Sequence, residues 1–333
     1  MMRRKMKVEN QIKIALIQHP PVFLNLHESL IASEKWVIEA AENGAKIVIF
    51  PETWLPGYPI WLDNARDAAG WNHQGAIALY RILFHNSLET GSKEFRQLSA
   101  LARKRKIIIV IGCHEVKGNT LYNTMFFFSG KEGDDSLHRK LMPTYNEKLI
   151  WGNGDGSTLN TIQSDFGMIG GLICWEHWMP LARAAMHAKN ERIHIAQWPS
   201  VTELHQIASR HYAFEGRCFV AACGSTLSKK EVMEGFDSLE MDEPAAREML
   251  DSIAKNDEDF LMTGGSCVIR PDAGYLVKPE FLTRTILYST LDSDLIHESC
   301  MVLDTDGHYS RPDVFSLTVN EIPIENVKFV KNE

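Results

Sequence analysis

The sequence predicts a single α/β domain in which helices pack against a sheet of short apolar strands. Three observations support this prediction: apolar runs alternate with segments of helical periodicity, no Gly-, Ser- or Pro-rich linker divides the 333 residues, and no internal repeat is visible. A chain of this length could also form two domains of average size, but the absence of a linker favours one.

The first two thirds of the chain alternate strands and helices. Residues 12–18 predict the first strand, and the helical spacing of residues 25–43 ends at Gly44, which supplies a C-terminal stop. A buried strand at residues 46–50 follows, and the cycle then repeats. We predict further helices at 93–105, 180–189 and 203–215, and further strands at 107–112, 123–128, 168–173, 193–197 and 218–223.

The last third departs from this alternation. Residues 266–277, with Pro-Asp-Ala-Gly at their centre, predict a hairpin, and residues 286–291 predict another strand. The segment 228–259 is rich in Glu, Asp, Lys and Met and interrupts the pattern. We therefore interpret it as a partly helical surface insertion rather than a domain, and we expect a C-terminal tail from about residue 318.

Composition and charge disfavour several classes of partner. Hydrophobic residues make up 44% and charged residues 23%, as in ordinary soluble proteins. The net charge of −8 disfavours nucleic acid and anionic membranes, because both need a basic face. No uninterrupted apolar stretch follows the basic residues 3–5, so we expect no signal peptide. The longest apolar runs are too short to span a bilayer. We expect a cytoplasmic protein with neither a nucleic-acid nor a membrane partner.

Cysteine and histidine spacing predicts no metal site. The six cysteines form no CxxC pair, and most lie in apolar surroundings, as expected of small buried side chains in a reducing compartment. The thirteen histidines include no HExxH motif and no Cys/His pair at zinc spacing.

Chemically active side chains lie at three predicted strand ends. Cys174 ends an apolar run just before a helix-like stretch, where backbone N–H groups and a helix N-terminus favour a thiolate. Glu52 lies between a buried strand and an aromatic segment, and poor solvation there raises its pKa towards values useful for a general base. Lys140 presents an ammonium at a third strand end. Together these residue types suggest nucleophilic catalysis on a C–N bond.

Each residue also has a simpler interpretation when it is taken alone. Cys174 could be a core residue, Glu52 could cap a helix or form a surface pair, and Lys140 could be a solvated lysine in a turn. For His177, three residues after Cys174, we favour capping or packing within the turn over a catalytic part.

The three segments together resemble the motifs of the nitrilase (carbon–nitrogen hydrolase) superfamily. Residues 50–52 (Phe-Pro-Glu), 138–141 (His-Arg-Lys-Leu) and 174–176 (Cys-Trp-Glu) match the three motifs in order. Further matches point to the nitrilase branch, and the resemblance extends from about residue 12 to about residue 317. These further matches are residues 56–59, 143–144, 154–157 and 308–313.

The resemblance implies a four-layer αββα sandwich with a Glu-Lys-Cys triad. Carried over, Glu52 is the general base, Cys174 the nucleophile and Lys140 the group that stabilises the tetrahedral intermediates. Glu147 matches a second glutamate that helps to position substrate and water; the alternative is an exposed loop residue. Many nitrilases carry His where this chain has Tyr145. This departure does not affect the triad, but it leaves the details of the substrate pocket open.

Four aromatic residues are candidates for the wall of the substrate pocket. Trp175 directly follows the nucleophile, and Trp198 ends another strand, although a purely structural role is an open alternative for it. Tyr58 and Trp61 belong to the aromatic segment after Glu52. An aromatic wall favours a substrate with an organic side chain over cyanide.

The activity implied by the resemblance is that of a nitrilase, which converts an organic nitrile and two waters to a carboxylic acid and ammonia with no metal or organic cofactor. An amidase using the same triad and a catalytically inactive assembly or binding protein are the alternatives. The resemblance also implies a homo-oligomer, with a dimer formed through the helices at 180–189 and 203–215. Family members often extend such dimers into spirals, using insertions like 228–259.

Overall fold

The structure, a computed structural model, describes residues 9–325 and Val327, which form fourteen strands and nine α-helices. The strands are β1 (Gln11–Gln18), β2 (Ile47–Ile49), β3 (Leu88–Glu89), β4 (Ile108–Lys117), β5 (Thr120–Phe128), β6 (Ser136–Arg139), β7 (Ile162–Gln163), β8 (Met168–Ile173), β9 (Glu191–Gln197), β10 (Phe219–Cys223), β11 (Thr226–Ser228), β12 (Phe260–Ile269), β13 (Tyr275–Phe281) and β14 (Thr285–Asp292). The helices are α1 (Leu26–Glu42), α2 (Trp61–Asn64), α3 (Gln74–His85), α4 (Lys93–Arg105), α5 (Pro180–His187), α6 (Glu203–Gly216), α7 (Lys229–Asp237), α8 (Pro244–Asp251) and α9 (Asp294–Cys300).

Two mixed sheets of seven strands form the centre of the fold. The first has the order β14-β1-β2-β4-β5-β6, with β3 beside β4, and the second has the order β11-β12-β10-β9-β8-β7, with β13 beside β12. Parallel pairing joins β1, β2 and β4 in the first sheet and β8, β9 and β10 in the second. Each sheet therefore has a parallel centre, with loops at the carboxyl ends of its strands.

The sheets pack face to face between two layers of helices. Side chains alternate along β1: Ile14 and Leu16 join the apolar cluster between the sheets, whereas Ala15 and Ile17 join the cluster under α1 and α4. On the second sheet, α6 packs against β9 and β10, and the buried side chains of α5 join the same apolar cluster. This arrangement confirms the αββα sandwich.

The strongly periodic elements lie where the sequence predicts them. Helix α4 and strand β8 have the predicted bounds, and β12 and β13 form the predicted hairpin with longer arms. The sequence pattern does not indicate α3, which buries one apolar face against α8, nor the short strands β3, β7 and β11; of β6 it indicates only the end that carries Lys140. Strands this short carry too few alternating residues to be recognised from periodicity.

The segment 228–259 is partly helical, as α7 and α8 show. Its inward side chains, among them Phe236 and Leu250, are buried in one cluster with α3. Whether the segment is an insertion, and whether the chain is one domain, stay predictions. The expected tail from about residue 318 continues beyond the described residues.

No helix among residues 9–325 and Val327 combines the length and the apolar character needed to cross a bilayer. The cytoplasmic location stays a prediction.

Gly112 on β4 lies against the turn that carries Glu52. A Cβ at this position would be 2.3 Å from the carbonyl oxygen of Pro51 and 2.5 Å from the amide nitrogen of Thr53. Because backbone yields less than side chains do, we expect Gly112→Ala to lower the free energy of unfolding by about 3 kcal/mol, measured by urea denaturation.

Gly133→Ala is the control for this experiment. Gly133 has a φ of +78°, and a Cβ there meets nothing within 4 Å, so only backbone strain of about 1–2 kcal/mol is expected. A loss in Gly112→Ala no larger than that in Gly133→Ala would contradict the close approach of β4 to the Glu52 turn.

Candidate active site

Glu52 lies in the turn after β2, and its carboxylate is fully enclosed. Its Oε1 accepts hydrogen bonds from Nδ2 of Asn123 at 2.7 Å and from Nζ of Lys140 at 2.9 Å. Its Oε2 has no hydrogen-bond partner among the described residues. One carboxylate oxygen is thus held in place, and the other is free to accept a proton.

Lys140 follows β6 and is also buried. Its backbone N–H donates to the carbonyl oxygen of Asn123 at 2.8 Å, which extends the pairing of β6 with β5. Its ammonium donates to Glu52 and, at 2.6 Å, to Oε2 of Glu147. Asn123, which the sequence analysis does not single out, therefore holds both Glu52 and Lys140.

Glu147 lies in a 3₁₀ turn at Tyr145–Leu149 and is buried rather than exposed in a loop. Its Oε2 accepts from the backbone N–H of Thr144 at 2.6 Å, and its Oε1 accepts from the hydroxyl of Tyr58 at 3.0 Å. With the bond from Lys140, three donors fix this carboxylate, as a positioning role requires.

Cys174 begins a 3₁₀ turn directly after β8 and has a left-handed backbone, with φ of 55°. This conformation is unfavourable for a residue with a Cβ and persists only where neighbouring contacts impose it. One such contact comes from Glu176, whose carboxylate accepts from the N–H of Ile173 and the N–H of Leu141, each at 2.7 Å. Glu176 thus ties the turn of the thiol to the strand end of Lys140.

Glu176 is itself held by a buried contact with His138. Nε2 of His138 lies 2.9 Å from the Glu176 carboxylate. Burial acts to lower the pKa of His138, but the charge of Glu176 outweighs it and the pKa is raised. Burial acts to raise the pKa of Glu176, but His138 and the two N–H donors outweigh it and the pKa is lowered. Each partner therefore stabilises the charged form of the other.

The four predicted catalytic residues come together in space. One ligand atom each from Glu52, Glu147 and Cys174 lies within 4.8 Å of the others, and the Lys140 ammonium binds both carboxylates. In the sequence these residues are up to 122 positions apart, from 52 to 174. The site thus forms only when the two sheets pack together.

The charges in this cluster set its protonation. Burial raises the pKa of Glu52 to about 7; the charge of Glu147 adds to this effect, and Lys140 opposes it. Burial also raises the pKa of the Cys174 thiol well above its usual range, again opposed by Lys140. Burial acts to lower the pKa of Lys140, but Cys174, Glu52 and Glu147 outweigh it and the pKa is raised. Lys140 stays an ammonium, while Glu52 can exchange a proton near neutral pH.

Glu52, Glu147 and Cys174 are also a donor set that could bind a metal ion. However, the Lys140 ammonium already lies within hydrogen-bond distance of both carboxylates, and a second cation beside it would be repelled. These carboxylates are therefore better suited to the side-chain ammonium of Lys140 than to a metal ion. The absence of a metal stays a prediction.

A cavity of about 250 Å³ opens above Cys174 and Glu147. Tyr58 and Trp175, two of the predicted substrate-binding residues, line it. The remaining wall is mixed in character, with apolar side chains from β12, the start of α2 and the segment after β9, and polar groups most of which lie outside the matched motifs. These are Ile60, Asp63, Asn64, Thr144, Tyr145, Asn146, Pro199, Ser200, His205, Leu261 and Met262.

The structure does not place Trp61 and Trp198 on this wall, contrary to the sequence-based prediction. Trp198 is fully buried and stacks between the rings of His177 and His205, at centroid distances of 4.8 and 4.4 Å. Trp61 is buried beside Phe23 and lines a separate cavity with Leu62 and Tyr80. A tryptophan near a strand end can fill the core as well as line a cleft, and sequence does not separate the two.

The chain resembles known proteins over nearly its full length. Residues 13–299 match the family described as carbon-nitrogen hydrolase. Nitrilase 3 of Arabidopsis thaliana is 34% identical over 319 residues, covering 96% of this chain and 90% of that protein. An aliphatic nitrilase of Sinorhizobium fredii is 35% identical over 322 residues, covering 94% and 97%. A CN-hydrolase superfamily structure from Xanthomonas campestris, 13% identical, shares the fold with a TM-score of 0.63 over 94% of this chain and 100% of that one.

Alkylation of Cys174 by iodoacetamide tests the assigned protonation. Since Glu52 accepts the thiol proton only when ionised, the wild-type rate should rise with pH through about 7. Glu52→Gln should remove this transition and slow alkylation. Glu147→Gln should keep it but move it to lower pH, because the charge of Glu147 raises the pKa of Glu52.

Peptide mapping by mass spectrometry would separate alkylation of Cys174 from that of the other cysteines. A transition unchanged in Glu52→Gln, or one moved to higher pH in Glu147→Gln, would contradict the assignment.

Proposed function

Because the chain belongs to the carbon–nitrogen hydrolase family, we propose that it is a nitrilase, which hydrolyses an organic nitrile to the carboxylic acid and ammonia. The observation that carries the proposal is the buried cluster of Glu52, Lys140, Glu147 and Cys174 at the base of a cavity. Identity of about a third to nitrilases from plants and bacteria supports the same conclusion.

The first half of the reaction forms a covalent intermediate. The free Oε2 of Glu52 accepts the thiol proton, and the sulfur of Cys174 attacks the nitrile carbon. A C–S bond forms, the C≡N bond becomes C=N, and the proton held by Glu52 passes to the nitrogen. The product is a thioimidate on Cys174.

The second half hydrolyses this intermediate with two waters. Glu52 takes a proton from the first water, which adds to the thioimidate carbon, and the Lys140 ammonium stabilises the charge of the tetrahedral species. Glu52 returns this proton to the nitrogen, and ammonia leaves to give a thioester. The second water then adds to the thioester carbon, the C–S bond breaks, and a proton of that water passes through Glu52 to the sulfur, which releases the acid and regenerates the thiol. Glu147, held by three donors, keeps Lys140 and the water aligned.

The cavity wall supports a substrate with an organic side chain. Tyr58 and Trp175 offer aromatic surface, whereas Asp63, Asn146 and His205 offer polar groups. This mixed wall suits a small nitrile that carries both apolar and hydrogen-bonding groups.

An amidase is the alternative activity, because the same four residues could hydrolyse an amide. The nitrilase is favoured because the relatives that match at about a third identity are named nitrilases. A catalytically inactive assembly protein is disfavoured because the whole cluster is present and buried.

A nitrile panel tests the activity and the nucleophile together. Wild-type protein should release ammonia and acid, and faster from a nitrile than from the matching amide. Cys174→Ala should fall to background, since a methyl cannot form the thioimidate, and Cys174→Ser should be nearly inactive, since an alcohol is a far weaker nucleophile than a thiolate. Cys300→Ala, at a partly exposed cysteine outside the cavity, is the control and should keep wild-type turnover.

Turnover by Cys174→Ala would overturn the mechanism. Faster hydrolysis of amides than of nitriles would decide for the amidase.

We also propose that the chain forms a dimer through α5 and α6. Leu204, Ile207 and Phe214 share one face of α6 by helical spacing, and Leu181 lies on α5; all four are exposed. An apolar face of this kind on two neighbouring helices is typical of an interface. The dimer could extend into a larger or spiral assembly.

Light scattering with paired variants tests the dimer. Wild-type protein at micromolar concentration should exceed the monomer mass of 37.8 kDa at least twofold, and Ile207→Glu should reduce the mass towards the monomer. Ile31→Glu on α1 is matched in exposure, 50% against 51% for Ile207, and should leave the mass unchanged. A monomeric wild type, or equal effects of the two variants, would contradict the proposed face.

A further inference from the structure

A chain of buried polar side chains lies behind Cys174 and does not line the cavity. Nδ1 of His177 is 2.7 Å from the carbonyl oxygen of Cys174, and its Nε2 is 3.0 Å from Nε2 of His194. Nδ1 of His194 is 3.0 Å from Oε2 of Glu191, which also accepts from the hydroxyl of Tyr212 at 2.5 Å. All five residues are buried.

Hydrogen-bond direction fixes where the protons lie in this chain. A carbonyl oxygen only accepts, so Nδ1 of His177 must carry a proton. Burial lowers the pKa of His177 to about 3, so the ring is neutral and its Nε2 accepts from Nε2–H of His194. Burial also lowers the pKa of His194 far below its usual range, so its Nδ1 is an acceptor too. The donor to that nitrogen must then be Glu191.

The surroundings of Glu191 favour a neutral carboxylic acid. Burial raises its pKa to about 8, although Tyr212, His187 and His138 act to lower it. A carboxylate here would have no imidazolium to pair with, because burial lowers the pKa of His194; for the pair of His138 and Glu176 the shifts have the opposite directions. The titratable groups around Glu191 are His194 on β9, His187 on α5, Tyr212 on α6, His138 on β6, and Cys218 before β10.

Two features of the backbone make room for this arrangement. Met168 pairs with Glu191 and Ile169 pairs with Ile193, so β9 has one extra residue, and this bulge brings Glu191 and His194 to the same side of the strand. A Cβ on Gly170 would lie 1.8 Å from Oε1 of Glu191, so a glycine is required where the carboxyl group rests.

We propose that Glu191 is a positioning residue which, as a neutral acid, orients His194 and His177 so that the carbonyl group of Cys174 is held in its left-handed conformation. The proposal rests on the proposed role of Cys174 as the nucleophile. The hydrogen bonds then all run in one direction, from Glu191 through His194 and His177 to the carbonyl oxygen of Cys174.

Ionisation of Glu191 reverses the donor and acceptor in each hydrogen bond from Glu191 through His194 to His177. A carboxylate accepts a proton from Nδ1 of His194, which leaves Nε2 of His194 as an acceptor. Nε2 of His177 must then carry the proton, and the lone pair on its Nδ1 faces the carbonyl oxygen of Cys174. The hydrogen bond that holds the nucleophile is lost, so kcat should fall as pH rises through about 8.

The first test compares two substitutions of Glu191. The carboxamide in Glu191→Gln donates to His194 and accepts from Tyr212 but does not ionise, so kcat at neutral pH should stay within about threefold and the alkaline decline should disappear. Glu191→Met has a similar length but no donor, so kcat should fall about tenfold or more with little change in KM. A purely structural role would not separate the pH profiles in this way.

The second test uses Tyr212→Phe, which keeps the ring stacked on His194 at a centroid distance of 3.6 Å. The hydroxyl of Tyr212 acts to lower the pKa of Glu191, so its removal should move the alkaline decline to higher pH. A flat wild-type profile, a decline retained in Glu191→Gln, or a shift to lower pH in Tyr212→Phe would each overturn the proposal. The wild type and Tyr212→Phe decide the matter even if the Glu191 variants do not fold.

Alkylation separates this proposal from the proposed activity. With iodoacetamide at neutral pH, Cys174 should react at similar rates in wild type and Glu191→Gln, and more slowly in Glu191→Met. Absence of nitrile turnover in the wild type would end the proposed function but would leave this comparison valid. Equal alkylation rates in all three proteins would overturn the positioning role.

Discussion

The site depends on two buried carboxylates that share one ammonium. Charges of this kind are unfavourable inside a protein unless each is paired and hydrogen-bonded. Lys140 binds Oε1 of Glu52, which the amide of Asn123 also binds, and Oε2 of Glu147, whose other oxygen accepts from the hydroxyl of Tyr58. One oxygen, Oε2 of Glu52, is left without a partner among the described residues. Burial and the charge of Glu147 together outweigh the effect of the single ammonium, so the pKa of Glu52 is raised to about 7, where it can take a thiol proton.

The need to hold these buried charges in place is accompanied by strained backbone in the loops around the site. Thr53, Tyr145 and Cys174 each have positive φ, and they lie next to Glu52, close to Glu147 and at the nucleophile itself. Such conformations persist where surrounding contacts over-determine them. The carboxylate of Glu176 supplies one of these contacts by bridging the ends of β6 and β8. The charged cluster and the strained turns are thus held by one set of buried hydrogen bonds.

Sequence reveals the parts of this site that follow a strand or match a motif. Glu52 and Cys174 follow apolar strands and Lys140 follows the short polar strand β6, and the order of these residue types by itself suggests the chemistry. Glu147 emerges only from the resemblance, because its turn has no periodic pattern. Trp61 and Trp198 are placed wrongly on the cavity wall, since burial of a large ring depends on how helices and sheets pack.

The network behind the nucleophile illustrates a limit of periodicity. Glu191 and His194 are three residues apart, which in a regular strand puts them on opposite faces. Only the bulge in β9 brings them together, and a bulge is set by pairing with β8 rather than by local sequence. The pair therefore becomes visible in the structure and not in the alternation of the chain.

The support of the nucleophile and the proposed dimer face share the same two helices. Arg183 on α5 donates to the carbonyl oxygen of His177 at 3.0 Å and to Glu215 on α6 at 2.7 Å, while Tyr212 on α6 donates to Glu191. The outer faces of these helices carry the exposed apolar side chains. The hydrogen-bond network that reaches Cys174 begins on the inner side, at Tyr212 of α6. Since packed elements transmit small displacements to their neighbours, the position of α5 and α6 bears directly on the geometry of the thiol. We therefore expect an interface formed on these helices to stabilise the turn that holds the nucleophile.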